Sequence, residues 1–216
     1  MSNNKIGIII QARQTSSRFP GKSLAPLLGK PIIEWVVERA RKVSPEILVV
    51  VVIPDNAKNN ELNEKLKSLK VHVIRGSENN VASRFVKAIN EFQLDHVIRV
   101  CADNPLLSPK YISFLIEFYF ANNQRYSFNH MPRFDIQIND GFGAEIFNAK
   151  TFLVDYTGFT LDEEFEHVTH KFAQNCSEKD CAYQNWMLGK MKLDIDTKQD
   201  LEYLEHLLKS DNIEVD

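Results

Sequence analysis

Two short, almost uninterrupted apolar runs separated by a helix-patterned stretch constrain this chain more than any other feature. Residues 6–10 (IGIII) form the first run and residues 46–53 (EILVVVVI) the second. Val and Ile at that density suit strands covered on both faces, as in the middle of a parallel sheet. Between them, residues 31–43 (PIIEWVVERARKV) carry apolar side chains at 32, 33, 36, 37 and 40 behind a proline. That spacing marks one helix face, and proline suits a first helical turn. The unit reads β-α-β. The alternation continues with helices over 59–69, 81–92 and 108–120 and strands over 71–74 and 96–101. It predicts an α/β protein: a three-layer, open, mostly parallel sheet.

The rhythm changes after residue 121. Residues 125–148 read as two or three irregular strands, followed by the acidic LDEEFEH from Leu161, a strand over 190–195 and a helix over 198–209. With 216 residues the chain is expected to be a single domain spanning 1–216, with a small inserted lobe at about 121–165. The lobe holds Phe128, Phe134, Phe142, Phe147, Phe152 and Phe159 in no regular pattern. They are expected to stay outside the main core, leaving an apolar patch for a ligand or a second copy to cover, and so a homodimer.

Charge and cysteine content narrow the function. Lys and Arg number 26 against 29 Asp and Glu, a net charge of -3, so nothing draws the chain generally to nucleic acid or to an anionic membrane. The five-residue apolar run near the N-terminus is too short for a signal segment or a membrane span, and a cytoplasmic protein is expected. Cys101, Cys176 and Cys181 read as free thiols, and with His167 and His170 they match no close zinc pattern.

Ligands of open α/β sheets bind beyond the carboxyl ends of the strands. After the first strand comes QARQTSSRFPGKS, residues 11–23, with Arg13, Arg18 and Lys22, several hydroxyls and no acid. Such a loop can surround a polyphosphate with point charges and backbone N–H groups. It is not a P-loop, since Ser16 stands where that motif needs its first glycine. Asp103, past the strand over 96–101, and Asp196, in a late Asp-Ile-Asp-Thr corner, are candidate ligands for Mg²⁺. Asp194 shares the strand face of Asp196. The plainer alternatives are a solvated basic loop, an Asx-turn at Asp103, and helix capping by Asp196 or Thr197. Gly76 permits close approach of backbone to a base or ribose.

The stretch IIIQARQTSSRFPGKSLAPLLGKPIIEWVVERA resembles the opening of the sugar cytidylyltransferases, most of all the SpsF-like spore-coat polysaccharide branch. The similarity continues in family order through VIRGSENNV with Arg84-Phe85, RVCADNPL from Arg99, EHVT from Glu166, and LDIDT from Leu193. Phe19, Asn80 and Gly143 stand where the family usually carries Leu, Asp and Asp. The resemblance implies a nucleotide-diphospho-sugar-transferase-like fold and Mg²⁺-dependent transfer of CMP from CTP to a sugar or 2-keto sugar acid, releasing pyrophosphate. It implies catalytic roles for Arg13 and Lys22 and nucleotide contacts from Ala12, Arg13, Ser17, Arg18, Lys22, Arg75, Gly76, Ser77 and Asp103. It further implies acceptor contacts from Asn104, Glu145, Glu166 and His167, metal at Asp103 and Asp196, and dimerisation through the inserted lobe. From the residues alone, Glu145 reads equally as a solvent-facing strand position. Two competitors remain: a glycosyltransferase of related fold, whose metal carboxylates usually sit mid-chain, and a non-catalytic nucleotide- or sugar-binding module.

Overall fold

The computed structural model describes residues 4–210, so the ends of the expected 1–216 domain lie outside the described residues. The chain runs β1 (Ile6–Gln11), β2 (Pro26–Leu27), β3 (Lys30–Pro31), α1 (Ile32–Arg41), β4 (Leu48–Pro54), α2 (Asn60–Ser68), β5 (His72–Gly76), α3 (Val81–Phe92), β6 (His96–Cys101) and α4 (Pro109–Ala121). It continues with β7 (Tyr126–Phe128), β8 (Glu145–Asn148), α5 (Ala149–Tyr156), α6 (Asp162–Glu166), α7 (His170–Asn175) and α8 (Lys198–Lys209). The main sheet has the order β5-β4-β1-β6-β8-β7. The pairings from β5 to β6 are parallel, whereas β8 is antiparallel to both β6 and β7.

Alternation along the strands builds the three layers. Ile8 and Ile10 of β1 face α1, α2 and α4 through Val36, Val37, Leu62, Leu66, Ile112 and Leu115. Ile9 points the other way, into a cluster with Phe85, Ala88 and Ile89 of α3 and Phe152 of α5. A third cluster packs α8 against the loop after β1: Phe19, Leu27, Ile32, Leu106, Leu193, Ile195 and Leu204. The three-layer, open, mostly parallel sheet expected from the alternation is the one present.

Three local expectations need correction. The aromatics of residues 121–165 do not stay outside the main core: Phe128, Phe147 and Phe152 are fully buried, and β7 and β8 extend the central sheet. Each such side chain contributes up to about 3 kcal/mol by leaving water, which outweighs their lack of a simple period. Residues 190–195 form no strand. They bond instead to two corners, Leu193 N–H donating to Asp140 O at 3.3 Å and Ile195 N–H to Asp103 O at 2.9 Å, while Leu193 and Ile195 are buried. Pro31 precedes the helix as its N-cap rather than opening it, because Lys30 and Pro31 pair with Leu27 and Pro26 in a tight hairpin. That hairpin turns through Leu28 and Gly29, both at positive φ.

Candidate active site

The loop after β1 is fixed at both ends before it presents any charge. Gly21, at φ 79°, makes the left-handed turn that a side chain would strain, and its N–H donates to Gln14 O at 3.0 Å. Phe19 anchors the loop in the third cluster, the Ser23 hydroxyl donates to Arg13 O at 3.2 Å, and Gln14 N–H donates to Asn59 Oδ1 at 2.9 Å. One short helical turn, Lys22–Leu24, then aims Lys22 across the strand ends.

Lys22 meets both late carboxylates. Its Nζ lies 2.9 Å from Asp103 Oδ2 and 3.5 Å from Asp196 Oδ1, and the lysine side chain is only 11% exposed. Arg18 Nη2 reaches Asp196 Oδ1 at 3.0 Å. The capping alternative for Asp196 falls to its neighbours: Thr197 caps α8 in a capping box with Asp200, and Asp196 N–H itself donates to Asp200 Oδ2 at 3.0 Å. The Asp196 carboxylate is left for the cleft. Nearby, burial and then the charge of Asp194 push the Asp140 carboxyl up to about 6, so negative charge is concentrated in this corner.

These groups line a cleft of about 300 Å³ at the carboxyl ends of β1 and β6. Of the expected site residues, Ala12, Arg13, Arg18, Lys22, Asp103, Glu166, His167 and Asp196 line it. Arg13 Nη2 and Glu166 Oε1 are 3.6 Å apart at its half-exposed lip. Ser17 is exposed beside the cleft, and Asn104 is buried in the corner behind Asp103. Arg75 turns toward Asp55, Asn56 and Asn60, with Gly76 and Ser77 following it outside the lining.

Glu145 is neither solvent-facing nor in the cleft wall. It is 3% exposed, opposite Arg99 in the β6–β8 pairing, and forms an ion pair with it. Its other oxygen accepts from Tyr126 Oη at 2.6 Å and Thr169 Oγ1 at 2.8 Å. Burial alone would raise this carboxyl, but Arg99 and the two hydroxyls overcome it and hold the group down at about 2. Its oxygens are thus engaged behind the cleft. Glu145 is a positioning residue for Arg99, which also donates to Gln11 Oε1 at 3.1 Å and does line the cleft.

Arg99 and Arg84 are the cleft cations that residue-by-residue reading passed over. The available signal was an arginine inside an otherwise apolar strand and another on the core face of α3, where an unpartnered charge is costly. Burial and then Arg13 lower the Arg84 guanidinium to about 10, still charged at neutral pH. Cys101 also lines the cleft, but burial pushes its thiol up to about 12, leaving no nucleophilic thiolate there.

A model of the cytidylyltransferase family matches residues 7–214. The chain belongs to that family. This cytidylyltransferase, a nucleotidyltransferase, is 28% identical over 214 residues to the spore coat polysaccharide biosynthesis protein SpsF of Bacillus subtilis, covering 94% of this chain and 86% of that protein. It is 26% identical over 205 residues to the 3-deoxy-manno-octulosonate cytidylyltransferase of Marinobacter nauticus, covering 93% of this chain and 71% of that one. Among solved structures, a cytidylyltransferase from Leptospira borgpetersenii superposes with a TM-score of 0.86 at 27% identity, covering 96% of this chain and 88% of the other. No helix among the described residues is long and apolar enough to cross a membrane.

Proposed function

We propose that this cytidylyltransferase transfers CMP from CTP to a sugar or 2-keto sugar acid, with Mg²⁺ and with release of pyrophosphate, in the biosynthesis of a surface polysaccharide or glycoconjugate in the cytoplasm. The observation that carries the reading is the convergence of Lys22, Asp103 and Asp196. Two carboxylates within reach of one ammonium can bracket one divalent cation, and Mg²⁺ commonly takes one or two carboxylates with phosphate oxygens and water. Asp103 and Asp196 would hold the ion, which when bound neutralises charge on the triphosphate.

The remaining work falls to the chain. Arg13, Arg18 and Lys22 hold the phosphates, so the acceptor hydroxyl meets the α-phosphorus in line with the departing pyrophosphate. The new P–O bond forms as the α–β bridge bond breaks, and the acceptor proton passes to solvent or to a basic group at the lip. No covalent enzyme intermediate is needed, and most of the acceleration comes from holding reactants and balancing charge. Acceptor contact is assigned in this reading to Glu166 and His167, which line the cleft and are exposed. The protein acts as a homodimer, its exposed apolar side chains Phe134, Val154 and Leu161 lying in residues 121–165.

The test is a pyrophosphate-release assay with CTP, Mg²⁺ and a panel of sugars and 2-keto sugar acids. Release that requires both CTP and one acceptor supports the reading. Nucleotide-sugar donation to an acceptor without pyrophosphate would assign a glycosyltransferase instead.

A further inference from the structure

Arg84 is a buried cation with no ion-pair partner at contact distance, the nearest favourable charge being the more remote Glu78. It is 2% exposed, and among the described residues no carboxylate lies within ion-pair distance of it. Its Nη1 donates to the backbone oxygens of Ser77 and Glu78, and its Nε has no hydrogen-bond partner. The side chain lines the same cleft as Arg13 and Lys22. Gly76 makes room for it: a Cβ at that residue would sit 3.0 Å from Arg84 Cγ. A fold does not gain by burying a lone guanidinium near another arginine, since the desolvation is repaid only by a partner charge or by full hydrogen bonding. The other cleft cations each have a carboxylate within reach, Arg13 with Glu166, Lys22 with Asp103, and Arg99 with Glu145.

We propose that Arg84 is a nucleotide-binding residue whose missing ion-pair partner is a phosphate group of the bound nucleotide. This rests on the cytidylyltransferase reading above and adds a phosphate contact on α3 to those of the loop after β1. A guanidinium can donate from two nitrogens to one phosphate, which a lysine cannot reproduce.

The experiment compares thermal shifts and equilibrium binding of cytidine, CMP and CTP to the wild type and to Arg84→Met, Arg84→Gln and Arg84→Lys. In the uncharged variants, affinity for CMP and CTP falls about 10- to 100-fold while the response to cytidine is unchanged, and Arg84→Lys recovers part of the loss. Without ligand, Arg84→Met melts at or above the wild-type temperature, because an unpaired buried charge has been removed. A purely structural strut would lower that melting temperature with CMP and CTP affinity intact, and this overturns the inference. So does an equal loss for cytidine, which would assign Arg84 to the nucleoside, or unchanged affinity in all variants. If the wild type itself responds to no cytidine nucleotide, the functional reading fails, an outcome distinct from a responsive wild type with equally responsive variants.

Discussion

Lys22 stands between two carboxylates at 2.9 and 3.5 Å, so its ammonium lies where the proposed phosphate and metal charges would have to balance. Lys22→Ala is expected to lower kcat by about 10²-fold, since losing one preorganised transition-state contact commonly costs about 3 kcal/mol. The fold should persist because Lys22 belongs to a single short turn at the cleft and to none of the core clusters, and Asp103→Asn should remove metal-dependent turnover likewise. Steady-state rates at saturating CTP, with circular dichroism on the same samples, check both; a fully active Lys22→Ala would end the phosphate assignment. At Gly143 the structure leaves no room for a side chain. A Cβ there would lie 2.1 Å from the backbone oxygen of Asn129, whose side chain also accepts from Ala144 N–H at 3.0 Å. The Asp that the family resemblance leads one to expect here could not be housed without moving backbone. Gly143→Ala should therefore destabilise by about 3 kcal/mol, the upper end for overpacking, visible as a lower urea midpoint. An unchanged midpoint would mean that the two segments separate freely.

At the scale of elements, Arg99 and Glu145 tie β6 to β8, while Tyr126 on β7 and Thr169 before α7 complete the cluster. This joins the antiparallel extension of the sheet to the cleft floor. The cluster carries a pH signature. The native Glu145 carboxyl lies below its ordinary value of 4.5, so its stabilisation is complete above that value and is lost as pH falls toward about 2. Glu145→Gln should be less stable at neutral pH and should lose less stability than the wild type between pH 4.5 and 2. Parallel acid-denaturation curves for the two proteins would refute the assignment. The late α8 was legible to the residue, since Thr197 and Asp200 form its capping box. The 190–195 segment was not: its apolar residues matched a strand, but the bonds that hold it come from Asp103 and Asp140, far away in sequence.

For the whole molecule, the proposed homodimer predicts twice the 24.9 kDa chain mass by light scattering at micromolar concentration. The single-chain mass would count against it and leave Phe134, Val154 and Leu161 as isolated surface apolars. The amino-acid sequence by itself determined the parallel half of the sheet, because β1, β4 and β6 must be buried on both faces and their apolar runs say so locally. It also pointed to residues that meet in one cleft, since the acid-free loop with Arg13, Arg18 and Lys22 and the corners at Asp103 and Asp196 are each visible as short segments. Only the tertiary structure decided that residues 121–165 complete the core, that Arg75 turns away toward Asp55, and that Glu145 serves Arg99 from behind the cleft. Those outcomes depend on pairings between segments tens of residues apart. Burial and counter-charge are properties of such pairings, and no local spacing encodes which partner a charged side chain will meet.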